Sequence, residues 1–287
     1  MSAVALCCIL FLLSVDQAVF GRVHGLKGQA NTGSAKFPED WRMLHSPKPV
    51  VAMWSGPRNL STAIMRSFGA RADCSAVDEP FYAAYLLATG IDHPMRKEII
   101  AVGETDPETV AETCLSPDLN GVEFSYQKHM TQHMIPGFPL EWIADVTNVF
   151  LIREPARVLA SYAAKRQAVA AEDIGFRRQR ELFEITEEMT GRKPVVIDSH
   201  DIRRDPETML VKLCSAIGLT FDSAMLAWEA GRKPEDGIWA EHWYDTVWRS
   251  TGFAEPEAEA LPDLPEHLQQ IADSVFEDYG FMREFKL

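Results

Sequence analysis

Three short, almost wholly apolar runs constrain this chain most: Lys48–Trp54 (KPVVAMW), Val146–Ile152 (VTNVFLI) and Pro194–Asp198 (PVVID). None alternates polar with apolar, so each reads as a strand covered on both faces. Ala76–Val77, ending at Asp78-Glu79-Pro80, and Val122–Lys128 read as two further strands. The segments between them have helical spacing. Leu60–Gly69 carries apolar residues at 60, 63, 64 and 68, Phe81–Ala88 stops near Gly90, and Pro155–Gln167 opens on a proline tolerated in a first turn. Arg177–Thr190 ends at Gly191, Pro206–Ile217 at Gly218, and Pro265–Tyr279 is the last helix. Buried strands separated by helices predict an α/β fold, with helices on both faces of a parallel sheet.

Residues 47–287 show no internal repeat and no linker, so they read as one α/β domain. Residues 1–46 read as an N-terminal extension. Its apolar run, Ala3–Val15, is shorter than the roughly 20 residues needed to span a bilayer, so no stable membrane insertion is expected. The run has the length of a signal-peptide core, but no Lys or Arg precedes it and Asp16 follows at once. A cytoplasmic protein is the first reading and a secreted one the alternative. The five cysteines, at 7, 8, 74, 114 and 214, form no C-x-x-C pair, which favours a reducing compartment.

Charge limits the partners. The net charge of −14 argues against nucleic acid, so an anionic ligand must be held by a few placed cations. Two places fit. After the first strand, Ser55-Gly56-Pro57-Arg58-Asn59 leads into a helix carrying Ser61 and Thr62. A helix N-terminus there offers unpaired N–H groups and partial positive charge, Arg58 a fixed cation, and Ser61 and Thr62 hydroxyls. The G-x-x-x-x-G-K-[ST] pattern of ATP- and GTP-binding loops is absent. After the fourth strand comes Arg153, with Ser161 about two helical turns further on, a spacing that lets one anion touch both. A third segment, Arg232-Lys233-Pro234-Glu235-Asp236-Gly237-Ile238-Trp239, places two cations before a glycine.

Together these segments resemble the sulfotransferases that use 3′-phosphoadenosine 5′-phosphosulfate, over most of 48–242 and in the same order. Pro57-Arg58-Asn59-Leu60-Ser61-Thr62 looks like that family's 5′-phosphosulfate loop, Pro-Lys-Ser-Gly-Thr-Thr. Arg153-Glu154-Pro155 through Ser161-Tyr162 looks like its 3′-phosphate motif, R-x-P-x-x-V-x-x-S-Y. Asp201-Ile202 through Pro206 to Gly218 is similar to its E-D-[ML]-x-x-x-P…L-G stretch, and Arg232-Lys233 with Gly237 and Trp239 to its R-K-G-x-x-G-x-W loop. The departures are Arg58 for the family lysine, Leu60 for the loop glycine, Ala63 for the tryptophan of cytosolic members, and Pro234 for the third residue of R-K-G. Asp78-Glu79-Pro80-Phe81-Tyr82 and the segment from Asp236 to Tyr244 look like a sulfotransferase-like group, some of whose members carry aminotransferase-like names. No pyridoxal-phosphate constellation accompanies them.

The resemblance implies a P-loop-like three-layer sandwich around a central parallel sheet. It also implies 3′-phosphoadenosine 5′-phosphosulfate as sulfuryl donor without a metal, and a small-molecule hydroxyl or amine acceptor. Arg58, Asn59, Ser61, Thr62, Arg153, Ser161, Arg232, Lys233 and Gly237 are the implied donor contacts. Glu79, at a strand end, is the first candidate base, with Asp78 and then His129 as alternatives; Glu79 acting only on the next helix N-terminus is the structural reading. Lys128 is expected to contact a sulfuryl oxygen. His129, one residue later on a strand, would face the other way. His129 and His133 would share a face if helical, but with no third ligand they do not make a zinc site. A P-loop-type kinase and a non-catalytic binder of adenosine bisphosphate are the competing functions.

Overall fold

The computed structural model describes residues 50–164 and 169–287. The N-terminal extension, Cys7, Cys8, the start of the first strand and the end of the helix following Pro155 lie outside the described residues.

Five parallel strands form the sheet: β1 (Val50–Ser55), β2 (Cys74–Asp78), β3 (Phe124–Met130), β4 (Thr147–Ile152) and β5 (Val195–Asp198), in the order β2-β3-β1-β4-β5. The longer helices are α1 (Ser61–Gly69), α2 (Tyr82–Thr89), α3 (Arg96–Val102), α4 (Pro107–Leu115), α5 (Pro155–Ala163), α6 (Phe176–Thr190), α7 (Pro206–Ala216) and α8 (Glu266–Arg283). Short helical segments at Ala171–Ile174, Ser199–Arg204, Ala240–Trp243 and Asp245–Trp248 fill the connections.

The strand alternation explains the three layers. Val50, Ala52 and Trp54 of β1 join one core with Phe150 and Ile152 of β4 and with Leu182, Phe183, Val275 and Tyr279, which packs α6 and α8 against one face of the sheet. Val51 and Met53 turn to the other core, with Ile64, Met65, Phe68, Leu210 and Leu213 of α1 and α7. The result is the expected P-loop-like α/β sandwich. Both faces of β1 are sealed, so its polar partners lie at its ends.

The sheet order sets the place of the site. From β1 the chain moves to one edge; from β3 it crosses back over β1 to β4. The crevice at the carboxyl ends of these strands is where ligands bind in open α/β sheets. All five strands deliver side chains there or just beyond it: Arg58 after β1, Asp78 and Glu79 at the end of β2, Lys128 in β3, Arg153 after β4, and Arg203 in the helical turn after β5. Asp78 is level with Lys128 across the β2–β3 pair. Among the described residues, no helix is long and apolar enough to cross a membrane.

Candidate active site

A cavity of about 310 Å³ opens at these strand ends. Its walls include Arg58, Ser61, Thr62, Arg153, Ser161 and Arg203 on one side and Glu79, Lys128, His133, Tyr82 and Trp243 on the other.

The first side is built by the loop after β1. Gly56 is required there, because an added Cβ would sit 2.3 Å from the carbonyl oxygen of Ile174. Asn59, fully buried, donates from Nδ2 to the carbonyl of Leu151 at 3.3 Å and pins the loop to β4. From α6, Gln179 donates to the carbonyls of Trp54 and Leu151, tying the ends of β1 and β4 together. Arg58 and Leu60 adopt φ of 62° and 73°. The sulfotransferase loop resembled here has glycine at the Leu60 position, and Leu60 retains the left-handed backbone that glycine takes without strain. α1 then starts with no side-chain cap, so no capping side chain satisfies its first-turn N–H groups.

Arg58 donates from Nε to Ser161 Oγ at 2.9 Å, and Arg153 donates to the carbonyl oxygen of Arg58 at 2.5 Å. The two motifs paired from the sequence therefore meet. Burial and the neighbouring Arg153 charge both hold the Arg58 guanidinium below its ordinary value. Two cations held this close in a half-closed site favour an anion between them.

The second side is a buried ionic network. Lys128 Nζ donates to Asp78 at 2.9 Å, to Glu79 at 2.6 Å and to the Tyr244 hydroxyl at 2.5 Å. Tyr244 in turn donates to Asp78 at 2.7 Å. An ammonium has three donors, and all three are engaged. Glu79 takes φ of 42°, held by its N–H on the Lys128 carbonyl and its own carbonyl on the Tyr82 N–H. Burial pushes the Glu79 carboxyl above its ordinary range despite the attraction of Lys128, with Asp78 adding repulsion. Lys128 is held well above its ordinary value, since Asp78 and Glu79 outweigh its burial.

Aromatic rings floor this side. His133 is stacked between Tyr82 and Tyr85, and its Nε2 lies 4.0 Å from Glu79. Burial, then the fields of His93, Lys128 and His129, hold its imidazole well below the ordinary value.

His129 lies off the cavity wall, as its place one residue after Lys128 on the strand implied. It points to the opposite face of β3, stacked on Trp54 with ring centroids 4.6 Å apart, because strand neighbours alternate faces. It shares no helical face with His133, which follows β3 in a short 3-10 turn. Arg232 and Lys233 are also not on the cavity wall. Buried Arg66 of α1 draws in the acids of their loop, Glu235 at 3.1 Å and Asp236 at 2.6 Å, and Trp248 also donates to Asp236. Arg232 is left half exposed on Glu241, and Lys233 pairs with Glu229. Gly237 reaches the site's edge, its N–H donating to Asp78 at 3.5 Å. A sulfuryl contact from Lys128 requires it to release one of its three present partners.

Four residues of this region did not emerge from the sequence as site residues: Tyr244, His133, Arg203 and Glu257. Tyr244 ends the aromatic segment after Asp236, and Arg203 follows Asp201-Ile202, so both stood beside recognised motifs. Glu257 carries no local signal. It is an acid in an acidic stretch, yet its carboxylate meets Arg153, Arg157 and Arg203.

The model of the family described as "Sulfotransferase domain" matches residues 50–282, which include every strand of the sheet. The chain belongs to the sulfotransferase family. Its curated relatives include two from Arabidopsis thaliana, Branched-chain-amino-acid aminotransferase-like proteins 1 and 2. They are 38% and 36% identical to it over 208 and 209 residues, 72% of this chain in each case. The match spans only 37% of each relative's own length. The sulfotransferase domain of the Synechococcus PCC 7002 olefin synthase shares the fold, with a TM-score of 0.51 and 15% identity. That likeness covers 82% of this chain and 95% of that one.

Proposed function

We propose that this protein transfers a sulfuryl group from 3′-phosphoadenosine 5′-phosphosulfate to a hydroxyl or amine of a small-molecule acceptor. One observation carries the reading: a single cavity has clustered guanidiniums and a helix N-terminus on one side and a buried carboxylate with a lysine on the other. Family membership supports it.

The residues fit such a donor. Arg58, Ser61, Thr62 and the first turn of α1 suit its 5′ end, and Arg153 with Ser161 its 3′-phosphate. Bound there, the donor supplies an activated sulfuryl group. Glu79 is the base of the proposed reaction. Its raised carboxyl, held against Lys128 and facing the cavity, suits it to accept the acceptor's proton. Lys128 is a positioning residue that fixes the Glu79 rotamer and adds a permanent positive charge. Arg58 stabilises charge that develops on the departing oxygen. Tyr82, Tyr85, His133 and Trp243 give the acceptor side an aromatic lining that keeps water from the reacting groups.

The test is transfer of labelled sulfate from the donor across a panel of small phenols, alcohols and amines. The reading expects labelled product with at least one acceptor and transfer slower by about 10² to 10⁴ with Glu79→Gln at the same enzyme concentration. Transfer at equal rates by both proteins would remove Glu79 from its role. Tight donor binding with no transfer to any acceptor would favour a non-catalytic binder.

A further inference from the structure

Behind Arg153 the guanidiniums outnumber their acid. Arg153 follows β4, Arg157 lies in the first turn of α5, and Arg203 closes the helical turn after β5. All three converge on Glu257, whose side chain is only 6% exposed: Arg153 in a short contact, Arg203 at 2.8 Å and Arg157 at 3.6 Å. The same arginines also hold the backbone of the strap that carries Glu257. Arg157 donates to the carbonyl of Ala258 at 2.5 Å, and Arg203 to that of Glu255 at 2.8 Å. From Phe253 to Pro265 this strap has neither helix nor strand.

The pairing is incomplete. Three cations face one carboxylate, while the flanking acids are engaged elsewhere: Glu154 caps α5, and Asp201 pairs with Lys286. Glu257 Oε2 is buried without a hydrogen-bond partner. A planar carboxylate presents two oxygens where a phosphate monoester presents three and up to twice the charge. Arg153, Arg203 and Ala254 of the strap line the same cavity as Arg58 and Ser161.

We infer that Arg157 and Arg203 are binding residues for the second phosphate of a bisphosphorylated nucleoside, and that Glu257 fills their slot until that phosphate displaces it. The inference rests on the nucleotide-donor reading above and adds to it a selection step. A nucleotide with only a 5′-phosphate has nothing to exchange for Glu257. The second phosphate replaces the carboxylate, frees the strap and neutralises the excess cation charge.

The experiment is calorimetric titration of the full chain with 3′-phosphoadenosine 5′-phosphate and, separately, with adenosine 5′-phosphate. Removing the competing charge with Glu257→Gln is expected to tighten the bisphosphate about tenfold or more and to leave the monophosphate within about twofold. Arg203→Ala is expected to weaken the bisphosphate about tenfold or more, again sparing the monophosphate. Amide exchange on the unaltered protein provides a readout that needs no variant: exchange over 253–260 should quicken with the bisphosphate and not with the monophosphate. Equal bisphosphate affinity of the unaltered protein and Glu257→Gln, or slower strap exchange on binding, makes Glu257 a fixed clamp and overturns the inference while leaving the donor reading intact. If the bisphosphate binds no form of the protein, the donor reading fails and this inference with it.

Discussion

The two ends of the cavity handle charge in opposite ways. At the β2–β3 end, Lys128 is surrounded by Asp78, Glu79 and Tyr244, all deeply buried, and each of its donors is used. At the β1–β4–β5 end, Arg153, Arg157 and Arg203 share one buried carboxylate and several backbone carbonyls, and Arg58 donates to the Ser161 hydroxyl. The first end holds its one cation between two carboxylates and a hydroxyl, which fixes a geometry. The second carries excess positive charge on partners that an incoming anion can replace. A protein of net charge −14 thus keeps local cationic character only where its acids are outnumbered.

The contrast breaks most sharply at Glu79. Glu79→Gln is expected to slow turnover by about 10² to 10⁴ while nucleotide affinity stays within about twofold, read by steady-state rates beside calorimetry. Lys128→Met leaves Asp78 and Glu79 buried without their cation and is expected to cost about 3–5 kcal/mol in urea unfolding. At the open end, Arg153→Ala is expected to weaken the adenosine bisphosphate by about 1.5–3 kcal/mol, roughly 10- to 150-fold, with a smaller effect on stability.

Acid sharpens the comparison further. Burial holds His129 at about 3 and keeps His133 well below its ordinary value. The unfolded chain, with histidines near 6.5, therefore binds more protons, so these two groups make stability fall as pH drops below about 6.5. His129 contributes about 1 kcal/mol between pH 6.5 and 5.5, and His133 acts in the same direction. Glu79, raised in the fold, contributes with the opposite sign, so the parent must be compared with a variant. His129→Phe should lose about 1 kcal/mol less than the parent over that interval. The smallest effect is expected at Arg232→Ala, which should change bisphosphate affinity by less than about twofold, because Arg232 lies off the cavity on an exposed ion pair worth about 0–1 kcal/mol.

Legibility in the sequence follows the same division. The strands were readable because both faces of β1, β4 and β5 are covered, leaving unbroken apolar runs, and among the described residues their ends shift by only a residue or two. Helices α3 and α4 were not, since each buries few residues against the rest of the chain. That the loop after β1 and the motif after β4 lie together was legible because each follows a recognisable strand, but the direct Arg58–Ser161 hydrogen bond was not read from them. The Lys128 network was half legible: Glu79 and Lys128 stand at strand ends, but Tyr244 lies 166 residues from Asp78, and nothing local announces that contact. Arg232 misled for the same reason in reverse. A basic pair beside a glycine looks like an anion site, but the neighbouring acids had a stronger partner in Arg66, 170 residues from Asp236, and folded the loop toward it.

The central claim is that one end of this cavity binds a two-phosphate nucleotide and the other performs the proton transfer. Titrating 3′-phosphoadenosine 5′-phosphate into the parent protein, Arg153→Ala and Glu79→Gln tests it most directly. The account predicts saturable one-to-one binding to the parent, a weakening of at least about tenfold in Arg153→Ala, and near-parental affinity in Glu79→Gln. Absence of binding to the parent, or equal affinity in Arg153→Ala, would contradict it.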